Sequence, residues 1–217
     1  MKFNYDNKES VFIHIPRTAG TYVEDNISQK FNTIKVWPTP NTETLFGLLK
    51  LNDYHFLTLQ HLTLKEMVKF GFLNDKNTEL FTIVRNPYDR VISLHKNWFS
   101  KYKTLDEFLD KLITMELDNY PFNGIVTKKE NFNYLNMADN IDDIKYFVLP
   151  QYYYIAQDNN DYNVDVIKYE NMEQLNNKYG INLKYNTTQN NYIFTKTQRE
   201  KIYKIYKKDF EHFEYER

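Results

Sequence analysis

Val11-Phe-Ile-His-Ile-Pro-Arg-Thr-Ala-Gly-Thr21 reads as a buried strand that runs into a tight loop and then, with no linker, into a helix. Val11, Phe12, Ile13 and Ile15 are the β-branched and aromatic run of a strand covered on both faces. Pro16 has no N–H to give to a ladder, so the strand must stop there. Gly20 permits a close backbone approach to a ligand. From Tyr22 the period changes: Val23, Ile27 and Phe31 recur every four positions, the stripe of a helix. Strand, small-residue loop and helix N-terminus together make an anion site, because unpaired N–H groups and the positive dipole end converge on the loop. Arg17 adds a fixed charge there, and Thr18 and Thr21 add hydroxyls. The expected ligand carries a phosphate-like group.

Thr82-Ile-Val-Arg-Asn-Pro-Tyr-Asp-Arg-Val-Ile-Ser93 repeats that logic. Leu80–Val84 is an apolar strand, Asn86 a helix cap, Pro87 a first helical residue and Asp89 an acid in the first turn. The spacing predicts a helix from there to about Lys101. Arg85 falls at the strand's carboxyl end, where open α/β sheets bind ligands. On the helix, Asn86, Arg90, Ser93 and Asn97 form a polar stripe beside an apolar stripe of Val91, Leu94 and Trp98 expected to pack on the sheet. Arg85 and Ser93 can hold a second phosphate through a guanidinium fork and a hydroxyl. Two phosphate sites at neighbouring strand ends call for a ligand with separated anionic groups.

The rest of the chain alternates strand-like and helix-like runs, which predicts an α/β layered fold with a mainly parallel sheet. A short strand is expected near Ile34–Trp37, a helical stretch around Leu45–Leu51 and a strand near Phe56–Leu59. Capping boxes at Thr63–Glu66 and Thr104–Glu107 open two more helices, the first closing at Gly71. Residues 118–163 are polar and Asn-rich and read as an insertion or lid. Val164–Lys168 is a last strand, and Lys196–Phe213 is amphipathic through Tyr203, Tyr206, Phe210 and Phe213. At 217 residues with 41% hydrophobic and 17% aromatic content, the chain is expected to form one domain over 1–217. A net charge of −1 supplies no global field for nucleic acid or an anionic membrane, so an anion must be held locally. The absence of Cys excludes disulfides, thiolate metal sites and Cys nucleophiles. With no signal-peptide pattern and no apolar window of about 18 residues, the expected location is the cytoplasm. No G-x-x-x-x-G-K-[ST] pattern occurs, which argues against a nucleotide kinase or NTPase.

The pair FIHIPRTAGT and FTIVRNPYDRVIS resembles the two cofactor motifs of the carbohydrate-type sulfotransferases, the group that includes the heparan sulfate 2-O-sulfotransferases. Weaker echoes follow in the expected order at Gln60–Thr63, Leu149–Gln151, Tyr169–Asn171 and Lys208–Phe213. The resemblance implies a P-loop NTPase-like three-layer fold and a sulfuryl donor, 3′-phosphoadenosine 5′-phosphosulfate (PAPS), with no metal. It implies that Pro16, Arg17, Thr18, Ala19, Gly20 and Thr21 cradle the 5′-phosphosulfate, and that Arg85 and Ser93 hold the 3′-phosphate. The acceptor it implies is a hydroxyl, on a glycan by family expectation. The family usually has Lys at the position of Arg17, although the tyrosylprotein sulfotransferases carry Arg. The 2-O-sulfotransferases have two His one residue apart where this chain has Leu59 and His61. These departures motivate a rival reading, a catalytically inactive nucleotide- or glycan-binding module that keeps the pocket.

His61 follows a strand and precedes the Thr63 cap, and it matches one of that paired His. It is the expected general base, suited to the task by an unperturbed pKa near 6.5. Arg17 is expected to stabilise charge on the leaving oxygen. Arg90 is either an anion ligand or half of an ion pair with Asp89 or Glu170. His14, alternating with Ile13 and Ile15, reads as a satisfied core histidine, and His95 as a packing residue. Glu24 either stabilises its helix dipole or stands in as the base. The tyrosines of Gln151–Tyr154 suit stacking on sugar or adenine as well as lid packing.

Overall fold

A computed structural model describes residues 1–33, 48–52, 55–115, 117, 145–159, 161–181, 183 and 191–217. Its centre is a four-stranded sheet in the order β1 (Lys2–Tyr5), β2 (Lys8–Ile13), β5 (Glu79–Val84), β6 (Val164–Lys168). β2, β5 and β6 run parallel, with Val11 beside Leu80 and Val84 beside Lys168, and β1 pairs antiparallel with β2. The period-2 alternation of the strands sorts the core. Val11, Ile13, Leu80 and Val84 face one cluster and Phe12, Phe81, Ile83 and Ile167 the other, so the sheet is covered on both faces. α1 (Gly20–Phe31) and α7 (Gln174–Tyr179) cover the second face through Val23, Ile27, Leu175 and Tyr179. α3 (Pro87–Trp98), α4 (Leu105–Thr114), α8 (Lys196–Ile205) and α9 (Lys207–His212) bring Val91, Leu94, Phe108, Leu109, Ile202 and Phe210 to the first. The result is a mainly parallel sheet flanked by helices, as the alternating pattern predicts.

Strand β1 has no counterpart in the sequence reading. Its signal is the Asp6-Asn7 pair, both at positive φ (50° and 60°), the central residues of a type I′ hairpin. Of the helical stretch expected around Leu45–Leu51, the described part, residues 48–51, lies instead in strand β3 (Leu48–Asn52), antiparallel to β4 (His55–Thr58). Leu45, Leu48 and Leu49 have helical spacing, but the ladder with β4 decides the conformation of Leu48–Asn52. These two strands form a separate hairpin outside the central sheet. The expected strand near Ile34–Trp37 lies outside the described residues, as do residues 45–47 and all of 118–144.

The cap at Thr63 is a full box preceding α2 (Leu64–Lys69), while at Thr104 only half of it forms: Glu107 N–H donates to Thr104, but the Glu107 carboxylate accepts from the Lys103 N–H. The reading of 118–163 as a lid fails for its described part. α5 (Lys145–Val148) and α6 (Tyr152–Ile155) place Phe147, Val148, Leu149 and Tyr154 fully in the core. The tyrosine run is therefore packing, with only Tyr152 half-buried. The C-terminal amphipathic stretch breaks at Tyr206 into α8 and α9. Among the described residues no helix is long and apolar enough to cross a membrane.

Candidate active site

The three parallel strands end side by side, and the residue after each one enters a common cleft: His14 after β2, Arg85 after β5, Tyr169 after β6. The cleft has a volume of about 470 Å³ and is lined also by Arg17, Ala19, Gly20, Thr21, Tyr22, Gln60, His61, Ser93 and Trp98. It lies at the carboxyl edge of an open sheet, the position such folds use for ligands.

The loop from Pro16 to Ala19 turns sharply. Arg17 and Ala19 both have φ of 68°, in the left-handed region that side chains rarely adopt, and such strain persists only where the surroundings enforce it. One restraint is buried Arg90, 1% exposed, whose Nε donates to the Pro16 carbonyl at 3.0 Å. Its two Nη groups donate to the carbonyls of Leu149 (2.8 Å) and Phe147 (3.1 Å). Arg90 is thus neither an anion ligand nor paired with Asp89 or Glu170: it satisfies three backbone acceptors. Gly20 makes a close approach to His14, since a Cβ there would sit 2.0 Å from His14 Cδ2, and it also lines the cleft.

Two guanidinium groups face the cleft. Arg17 donates from Nε to Ser93 Oγ at 3.0 Å and lies 5.2 Å from the centre of the Trp98 ring. Burial, and then the neighbouring Arg85, push its pKa down. Arg85 lies 4.7 Å over the Tyr169 ring, and its buried Nε has no hydrogen-bond partner among the described residues. Its backbone is clamped by Gln151, which accepts from the Arg85 N–H and donates to the Arg85 carbonyl, both at 2.8 Å. Gln151 is held by buried Asp209, which accepts from the Gln151 N–H (2.9 Å) and from its side-chain amide (3.2 Å). Two cations that repel one another, one with an unmet donor, form a site whose repulsion an anionic ligand relieves.

Behind the loop lies a polar cluster. Glu24, fully buried, accepts from Gln60 Nε2 at 2.8 Å, and its other oxygen stands 3.1 Å from His14 Nδ1 in an approach not aligned for a hydrogen bond. Contact with His14 and Gln60 outweighs burial and holds the Glu24 carboxyl down at about 2. Glu24 is therefore an ionised buried carboxylate, and it lies beyond the first turn of α1 that a dipole role would need. His61 donates from Nδ1 to the His14 carbonyl at 3.0 Å, if Nε2 carries the lone pair, and its ring lies edge-on to His14 at 4.4 Å.

A family model described as the sulfotransferase family matches residues 3–216. The chain belongs to the sulfotransferase family. Its sheet and flanking helices are accordingly the P-loop-like α/β fold of that family, and its chemistry is sulfuryl transfer. No curated protein and no solved structure matches the chain.

In this sulfotransferase Arg17, Ala19, Gly20, Thr21, His61, Arg85 and Ser93 all reach the cleft, from three separate segments. Pro16 and Thr18 do not line it. The Pro16 carbonyl is taken by Arg90, and the Thr18 hydroxyl, fully buried, donates to the Ile15 carbonyl at 2.9 Å. These two shape the loop. His14, Tyr22, Gln60, Trp98 and Tyr169 line the cleft without having been singled out as ligands. The helical period places Trp98 on the stripe facing the sheet, but its ring meets Phe147 and the Arg17 guanidinium. The signal for Tyr169 was available: it follows β6 as Arg85 follows β5. His95 packs as expected, stacked on Phe108 with Nε2 2.7 Å from the Tyr102 carbonyl, and His212 lies against Tyr152. Among the described residues no group of three His, Cys, Asp or Glu is placed to hold a metal.

Burial, followed by the charge of His14, pushes His61 from its ordinary 6.5 to about 3. A rate inflection near pH 6–7 therefore does not follow from His61, contrary to the expectation from an unperturbed imidazole. The stability consequence has a definite sign. Between about pH 6.5 and 3 the unfolded chain takes a proton at His61 that the folded chain refuses, so stability falls as pH drops through that window. Glu24 adds a second loss from its ordinary 4.5 down to about 2. Thermal melts should accordingly show Tm declining already between pH 6.5 and 4.5. His61→Asn should flatten that upper part and leave the lower part; a profile identical to the parent's would show that His61 does not carry the upper window.

Proposed function

We propose that this sulfotransferase, acting as one domain over residues 1–217, uses PAPS as sulfuryl donor and a carbohydrate hydroxyl as acceptor. The observation that carries the donor assignment is the pair of cations facing one cleft, Arg17 from the anion loop, bonded to Ser93, and Arg85 from the end of β5 with its unmet Nε. PAPS has anionic groups at both ends of its ribose, and it supplies an activated sulfuryl group when bound. The loop Arg17–Thr21 would hold the phosphosulfate end, and Arg85, with Ser93, the 3′-phosphate. Arg17 spends one of five donors on Ser93, so its fork keeps the rest for charge on the leaving oxygen. The hydroxyl proton goes to an imidazole of the inner wall, where both His61 and His14 stand. A carbohydrate acceptor of the 2-O-sulfotransferase kind is supported by the order of the sequence motifs.

Arg85 gives the direct test. Loss of a charged donor costs about 1.5–3 kcal/mol, so Arg85→Ala should weaken adenosine 3′,5′-bisphosphate binding by about tenfold or more in calorimetry. AMP, which lacks the 3′-phosphate, should lose far less. Equal losses for the two ligands would remove Arg85 from the 3′-phosphate site.

A further inference from the structure

We propose that His14, oriented by Glu24, is the group that takes the proton from the acceptor hydroxyl; this rests on the sulfuryl-transfer reading above and names the base within it. His14 lines the cleft, and its Cδ2–Nε2 edge lies against Gly20 of the anion loop. The reacting group must sit over that loop, so this edge is beside the chemistry. Glu24 stands behind the ring at 3.1 Å from Nδ1. An ionised carboxylate there puts the ring hydrogen on Nδ1 and the lone pair on Nε2, on the loop side. Such hydrogen bonds are often long or poorly aligned before substrate binds. Gln60 fixes the carboxylate by donating to its other oxygen, so that one oxygen remains for His14.

The Nδ1 of His61 is bound to a neutral carbonyl, and burial disfavours its protonated form. A proton arriving at His61 would create a cation beside His14 in a buried wall. A proton arriving at His14 creates an imidazolium against a carboxylate, the arrangement that stabilises the charged ring in hydrolytic triads. Among the described residues, the charged and titratable groups around His14 are Glu24 from α1, His61 from the turn after β4, the Met1 ammonium that acts on Glu24 and His61, and Arg17, Arg85, Tyr22 and Tyr169 in the same cleft. Glu24 is the one anion among them.

The step balances without a further reactant. The hydroxyl O–H bond breaks as its oxygen bonds to sulfur. The proton passes to Nε2 of His14. The electron pair of the breaking S–O bond leaves with the phosphate oxygen of the nucleotide product. His14 is thereby a catalytic residue, and Glu24 a positioning residue.

Two measurements on the full chain test the assignment: calorimetric binding of adenosine 3′,5′-bisphosphate, and sulfate release from PAPS with water as the acceptor, followed against pH. His14→Gln should lower sulfate release about a hundredfold while bisphosphate affinity stays within about threefold. The fall of the parent rate in acid should disappear in His14→Gln and persist in His61→Asn. Glu24→Gln, which keeps size and the Gln60 contact, should lower release at least about tenfold with binding intact. Should His14→Gln fail to fold, Glu24→Gln carries the test by itself, and an unchanged rate and pH profile would overturn the proposal. Undiminished release in His14→Gln, with the acid fall lost in His61→Asn, would assign the proton to His61 and overturn it equally. If the parent does not bind the bisphosphate at all, the PAPS reading fails and this assignment with it.

Discussion

Arg17→Ala is expected to lower kcat for sulfuryl transfer by about 10²–10³-fold, the usual cost of removing one preorganised donor to a developing charge. The Arg17 Nε–H is committed to Ser93 at 3.0 Å, which fixes the plane of the fork, and the Trp98 ring supports it at 5.2 Å. The positive φ at Arg17 aims the side chain from a strained loop, so its position is set before any ligand arrives. The leaving oxygen gains charge as the S–O bond breaks, and an interaction that grows in the transition state affects kcat more than ground-state affinity. Binding of the bisphosphate product should therefore fall by less than about tenfold in the same variant, a split that separates transition-state from uniform binding. Arg17→Lys keeps the charge and loses the fork and the Ser93 bond. It should stay within about tenfold of the parent if charge is what matters, as the usual lysine of the family implies. Single-turnover sulfate release with calorimetry alongside would decide. An alanine variant at parental kcat would take Arg17 out of the mechanism.

How much of this was legible in the sequence depends on how local the physics is. The two strand–loop–helix segments could be read because period, proline and cap residues act over a few positions, and β5, β6 and the starts of α2, α3 and α4 fall where those signals place them. The ligand side of the site was legible for the same reason, since Arg85 follows β5 and Arg17 lies in the loop after β2, two strands of one parallel sheet. Contacts made by the fold were not. Periodicity puts Trp98 on a stripe but cannot say that the stripe's end meets Arg17 instead of the sheet. It puts His14 in a buried run, yet only the packing of α1 brings Glu24 to its ring. The sequence marks Gly20 as a point of close approach but does not announce that His14 is one of the groups approached. In 145–155 the surrounding Asn-rich sequence concealed two core-forming turns whose aromatics fill the space behind α3 and α9. The faint motifs at Gln151 and Asp209 also acquire a meaning that no spacing announces: the second holds the first, and the first clamps Arg85.

The largest loss of stability from a single polar side chain is expected at Arg90. Its guanidinium ties the Pro16 carbonyl, 74 residues away in sequence, to the Leu149 and Phe147 carbonyls, 59 and 57 residues away, and its plane lies 5.7 Å from the Tyr206 ring centre. Arg90→Met preserves length and apolar contact but leaves three buried acceptors without donors. Each unmet group costs about 1–3 kcal/mol, so the sum should be at least about 3 kcal/mol. For a chain of this size that corresponds to a Tm lower by roughly 6–12 °C. Methionine adds no charge to compensate, and lysine would reach one carbonyl at most with a single ammonium. Because the Pro16 carbonyl holds the start of the anion loop, the same variant should bind adenosine 3′,5′-bisphosphate more weakly, even at temperatures where it remains folded. Arg17 and Arg85 would be untouched in sequence, yet the loop carrying the first and the Leu149–Gln151 segment clamping the second would both be loosened. Calorimetric melting with and without the bisphosphate checks both effects. A variant that melts with the parent would mean that water replaces the guanidinium at all three carbonyls, and one that melts early but binds normally would separate the loop's shape from its anchor.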